Sequence, residues 1–205
     1  MNRYLLFAFM WLIVSGINAQ ITSDKKMENH YDLPYYEIPA YPETYSPGNV
    51  IARVVDGLGY RYYWATEGLR ESDLNYKPSE ESRTTAETLD HILGLTKVLV
   101  NTTKNVANIN PADVKQMTWE EKRKETLENI RTASEILKTS SEQDVEGFQV
   151  VFQRSDSKSV YPLWNLLNGP LADAIYHVGQ VVSFRRSSGN PINPKVSVFM
   201  GKTRD

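Results

Sequence analysis

Three side chains of this chain have the types and spacing to hold a metal ion. Asp173 and His177 stand four residues apart, and on a helix that spacing brings a carboxylate and an imidazole to one face, where both can grip one cation. His91 joins them if its helix packs beside theirs, as neighbouring helices do in a bundle. Two imidazoles and one carboxylate leave coordination positions for water or substrate, as a catalytic divalent ion requires. The same residues also have plainer uses. Asp173 and His177 can share an ordinary hydrogen bond, His91 can sit at the edge of a core, and Asp173 can stabilise a helix start after Pro170.

Two further residues are candidates for supporting the chemistry. Gln180, three residues beyond His177, can hydrogen-bond across the site or hold a ligand water, and Glu67 falls late in the first expected helix with Tyr63 and Trp64, where the three could line the mouth. A surface glutamine and core aromatic residues are the alternatives. Glu87, one turn before His91, is accounted for by helix capping, and His30 lies apart from these residues in an extended arm. The chain contains no cysteine, which excludes thiolate ligands, a cysteine nucleophile and a disulfide framework. Imidazole and carboxylate ligands suit zinc, nickel, iron or manganese. No glycine-rich phosphate loop and no nucleophile elbow is present.

Four helices are expected to position these groups. Ser46 and Pro47 form a helix entrance, serine capping free amides and proline occupying the first position without losing a hydrogen bond. Apolar residues from Ile51 through Val55, Leu58, Tyr62 and Ala65 to Leu69 then recur at helical spacing to an end near Gly68–Arg70. Thr84 with Glu87 reads as a capping box, and the helix after it, running to about Asn105, is apolar over most of its circumference and is expected to be the most buried. His91 falls on the flank of that apolar face. Thr118 with Glu121 repeats the capping box before a third helix that ends near Thr139 and turns a charged face to solvent. Between Ser141 and Val160 a long loop or a short hairpin fits, and a last helical region runs from Tyr161 to a terminator at Gly189, kinked or restarted at Pro170.

Outside the helices, residues 1–19 carry Arg3, an apolar run from Tyr4 to Val14 and Ala19 before Gln20, the pattern of a secretory leader that is removed. An uncleaved anchor is the alternative. The apolar run falls short of the roughly 20 residues of a membrane-spanning helix, so no stable span is expected. Residues 20–46, rich in tyrosine and proline, read as an extended arm lying against the bundle. The tail after Pro191 includes Val196–Phe199, a short extended stretch. Residues 47–205 form the domain. The net charge of −2, which becomes −3 without Arg3, and the lack of a basic stripe exclude a nucleic-acid binder.

The segments Arg61-Tyr62-Tyr63-Trp64-Ala65-Thr66-Glu67-Gly68-Leu69, Thr88-Leu89-Asp90-His91-Ile92-Leu93 and Tyr176-His177-Val178-Gly179-Gln180, with Arg185-Arg186 and Gly189, resemble in order the motifs of the DinB/YfiT-like superfamily. The resemblance spans roughly residues 47 to 190 and implies an all-α, up-down four-helix bundle. It also implies a divalent metal held by a histidine of the second helix and two histidines at four-residue spacing on the last. His91 and His177 match two of these positions, and Asp173 stands at the third. The family's activities imply a hydrolase- or transferase-type enzyme acting on a small-molecule substrate, with thiol transfer among the options, and its bundles often pair, so a homodimer is expected. Since one scaffold hosts many functions, a non-catalytic binding protein of the cell envelope, exported and built on a degenerate metal site, stands as the competing expectation.

Overall fold

The structure is a computed structural model that describes residues 33–109 and 116–204. The expected leader, His30 and the first part of the expected arm lie outside these residues. Four long helices make the body: α1 (Pro47–Thr66), α3 (Thr85–Thr103), α4 (Trp119–Thr139) and α7 (Ala172–Ser187). Short helices α2 (Glu71–Leu74), α5 (Glu142–Gly147) and α6 (Leu163–Leu166) lie between them.

The helix starts follow from local sequence. Ser46 Oγ accepts from Asn49 N at 3.3 Å with Pro47 at the first position. The Thr84 hydroxyl accepts from Glu87 N while the Glu87 carboxylate accepts from Thr84 N at 2.7 Å, and Thr118 and Glu121 make the same exchange. Each pair satisfies amides that a helix start leaves open. Ser141 and Asp144 form a further capping box at α5.

The helices pack in the ring order α1, α4, α3, α7, so that α1 and α3 occupy opposite corners. This departs from the expected up-down circuit, in which consecutive helices are neighbours. The connections that carry α2 and the hairpin of residues 149–162 are long enough to cross the bundle, and they remove the need for adjacency. A consequence matters for the site: α3 and α7 pack side by side.

The fold is not all-α. β2 (Gln149–Gln153) pairs antiparallel with β3 (Lys158–Pro162), and β1 (Asn108–Ile109) pairs parallel with β2. Val150 and Val151 face Tyr161 and Val160 across the ladder. These β-branched and aromatic pairs draw Tyr161 into a strand and delay the helix to Leu163. In the tail, β4 (Val196–Ser197) pairs with β5 (Lys202–Thr203).

Nor is the second long helix the most buried. In α1, 13 of 20 residues are buried, against 10 of 19 in α3, where Leu95 and Val98 stay half-buried. The reason is the arm. The Tyr35 ring lies on Gly59, where a Cβ would come within 2.5 Å of it, and its hydroxyl donates to buried Asp56 at 3.0 Å. Lys138 pairs with the other Asp56 oxygen at 2.7 Å. Trp64 Nε1 donates to Tyr36 O, and Ile38 N donates to Gly201 O in the tail. The arm's later tyrosines behave differently: Tyr41 and Tyr45 are exposed, Tyr41 with the Arg53 guanidinium over its ring. Among the described residues no helix is long and apolar enough to cross a membrane.

Candidate metal centre

The site forms where α7 begins. Leu167–Leu171 is a π-helical turn in which Gly169 leaves helical geometry, and Pro170 restarts the chain as α7. Ala174, Val178 and Val181 of α7 are buried. Asp173, His177 and Gln180, at positions i, i+4 and i+7, therefore fall on the flank of that buried stripe. On α3, Leu89, Ile92, Leu93, Thr96 and Leu99 fill the core and leave His91 half-buried beside them.

The packing of α3 on α7 brings the three residues together. One ligand atom from each of His91, Asp173 and His177 lies within 4.8 Å of the others. His91 Nε2 is 3.2 Å from Asp173 Oδ2, and His177 Nε2 is 3.3 Å from Asp173 Oδ1. The imidazole rings meet edge to face with centroids 4.7 Å apart. The His177 side chain is 13% exposed, that of His91 35% and that of Asp173 42%, so the cluster is shielded at His177 and open to solvent at His91 and Asp173.

Gln180 sets the proton position on His177. His177 Nδ1 and Gln180 Oε1 are 2.7 Å apart, and a carbonyl oxygen can only accept, so Nδ1 carries the hydrogen. In neutral imidazole that leaves a lone pair on Nε2, which faces a carboxylate oxygen that is also an acceptor. A cation placed between them would be held by both. The donor set, two imidazole nitrogens and a carboxylate with the second nitrogen of one imidazole anchored, fits a borderline divalent ion.

The other candidate residues lie elsewhere. Glu67 pairs with Arg123 at 2.6 Å, and Arg123 also donates to Thr66 Oγ1 and sits over the Tyr63 ring. Glu67 does not join the His91–Asp173–His177 group. Tyr63 and Trp64 pack with Tyr36 beneath the arm and are buried, as the core reading had it. Glu87 serves the cap of α3.

A polar network escaped the sequence reading. Arg185, 3% exposed, donates to the carbonyls of Trp64, Ala65 and Glu67 at the end of α1 and to Asn190 O. Burial pushes its guanidinium below its ordinary value. Asp73, 1% exposed, accepts from Arg70, Ser188 and Asn190. The Arg70 guanidinium, together with the Ser188 and Asn190 donors, holds its carboxyl well below the usual range. This network joins α1, α2 and the end of α7. In the sequence, Arg185 stood out only with Arg186 and Gly189 as part of the family resemblance.

No protein-family model matches the chain, and no curated protein matches it significantly. Solved structures do. YfiT from Bacillus subtilis, described as a probable metal-dependent hydrolase with an unusual four-helix bundle topology, superposes with a TM-score of 0.53 at 16% identity, covering 74% of this chain and 94% of its own. A DinB-like protein from Bacillus subtilis, YjoA, superposes with a TM-score of 0.50 at 16% identity, covering 73% and 99% respectively. With four long helices packed in a ring, the chain has the four-helix-bundle fold of these DinB/YfiT-like structures.

Proposed function

We propose that the chain is a divalent-metal-dependent enzyme of hydrolase or transferase type that holds its ion with His91, Asp173 and His177 and acts on a small molecule. The observation that carries this reading is the approach of His177 Nε2 to Asp173 Oδ1 at 3.3 Å while Nδ1 is committed to Gln180. The description of YfiT as a probable metal-dependent hydrolase supports the class of reaction. An ion held by two imidazoles and one carboxylate supplies Lewis-acid polarisation with positions open to substrate. Gln180 is a positioning residue that fixes the His177 ring and its tautomer. Glu67 is committed to Arg123, and its role is to brace the end of α1.

The first experiment is metal analysis of the mature chain, purified without chelator or affinity histidines, beside an Asp173→Ala, His177→Ala variant. About one equivalent of zinc, nickel, iron or manganese in the wild type, lost in the variant, is the expected result. A wild type that neither carries nor takes up any of the four ions overturns the reading.

We further propose that the chain is exported and that residues 1–19 are removed on the way. Sequencing of the N-terminus of the protein recovered from the producing cells tests this, with Gln20 as the expected first residue. A second reading, a non-catalytic envelope binding protein that pairs with itself or another partner, draws support from the exposed aromatic rings of Trp164 and Phe199, 75% and 92% accessible. A His91→Ala, His177→Ala variant that retains partner binding favours it.

A further inference from the structure

A cleft of about 390 Å³ opens between the β2–β3 hairpin and the π-helical turn. Strand alternation builds its chemistry. The register places Val150 opposite Tyr161 and Phe152 opposite Ser159, so these four side chains share one face of the hairpin. Val150 is 2% exposed and forms an apolar floor. Phe152 and Tyr161 meet edge to face with centroids 6.4 Å apart. Arg154 and Asn165 complete the polar lining.

The polar groups are all able to donate hydrogen bonds, and no carboxylate lines the cleft. The Arg154 guanidinium makes no ion pair or hydrogen bond among the described residues, and it lines the cleft together with Ser159 and Tyr161. Donors lining an open cleft with an apolar, aromatic floor match a ligand with an oxygen-rich anionic end and an apolar body. A guanidinium fork suits both carboxylate and phosphate. The volume is at the lower end of the range for small-molecule sites.

We propose that this cleft binds a small organic anion, a carboxylate or phosphate on a ring-sized apolar body, with Arg154 as the charge anchor. The inference stands apart from the metal reading, because no metal ligand lines the cleft.

The test titrates the ¹⁵N-labelled mature chain with benzoate, phenyl phosphate and neutral benzyl alcohol. Saturable shifts of the amides of residues 150–161 with at least one anion, and not with the alcohol, are expected. Arg154→Gln should weaken that binding by about tenfold or more. Lys158→Gln removes the same charge from the opposite face of the hairpin and should leave the affinity unchanged. The stronger of the two anions identifies the headgroup. The proposal is overturned if neither anion binds, if benzyl alcohol binds as tightly, or if the Lys158 variant loses as much affinity as the Arg154 variant. Both substituted residues are exposed, and the variants' spectra report directly on the fold.

Discussion

His177 Nδ1 and Gln180 Oε1 stand 2.7 Å apart, one turn of α7 from each other. The contact decides which nitrogen of His177 is free, since an amide oxygen accepts and does not donate. It also holds the ring so that Nε2 points at Asp173. Partners behind a metal ligand act in this way on ring orientation and basicity.

Gln180→Ala should therefore lower zinc affinity about 10- to 100-fold without changing the fold. Gln180→Glu keeps an acceptor at the same place and should restore most of the loss. Competition against a chromophoric chelator measures both. Equal zinc affinity in wild type and Gln180→Ala would show that His177 needs no such support.

Asp73 makes a prediction about pH. Its folded carboxyl lies below the ordinary range because Arg70, Ser188 and Asn190 donate to it. A group with a lowered folded pKa contributes stability above its unfolded pKa and loses that contribution as pH falls through the folded value. Asp73→Asn should cost roughly 2–3 kcal/mol at pH 7. The gap between wild type and variant should narrow as the pH drops below about 4, where the unfolded carboxyl takes up its proton. Urea unfolding at pH 7 and pH 3 measures this, and a gap that stays constant between the two would be inconsistent with the network.

What was legible in the sequence was local. The Thr84–Glu87 and Thr118–Glu121 boxes and the Asp173–His177 spacing need only a few consecutive residues, and the structure carries all three. What depended on distant packing was harder to read. His91 meets Asp173 across 82 positions of chain only because α3 and α7 are neighbours, and the ring order that makes them so has no local signature. A short hairpin was one of the two readings of residues 141–160, but the run of its second strand through Tyr161 and Pro162 was hidden, because its partner, β2, decides it. The burial of α1 depends on an arm whose tyrosines carry no periodic pattern. Asp73 sits in a polar stretch where nothing nearby marks it as buried.

Gly59 tests the docking of that arm. Alanine normally favours a helix interior over glycine by about 1 kcal/mol. Here its Cβ would come within 2.5 Å of the Tyr35 ring. Moving the ring breaks the Tyr35–Asp56 hydrogen bond and leaves Lys138 as the remaining partner of Asp56 named in this corner. Gly59→Ala should thus destabilise the chain by about 1–2 kcal/mol net, seen as a lower unfolding midpoint, and should speed proteolysis within residues 33–46. A more stable Gly59→Ala variant would mean that the arm does not rest on α1.

Asp173 is the position at which the chain differs from a three-histidine set. A carboxylate bridging two imidazoles offers a hard, charged oxygen, whereas a third imidazole offers a neutral nitrogen. Asp173→Asn removes the charge but keeps the size, and should reduce uptake of all four candidate ions, because a neutral amide cannot balance a dication as the carboxylate does. Asp173→His should restore uptake and shift preference toward zinc and nickel over manganese, since nitrogen ligands favour the former pair and oxygen ligands the latter. Parallel affinity measurements with zinc, nickel and manganese for wild type and both variants decide the matter. If manganese loses no ground to zinc in the histidine variant, Asp173 does not contact the ion, and its contacts with His91 and His177 are then its whole function.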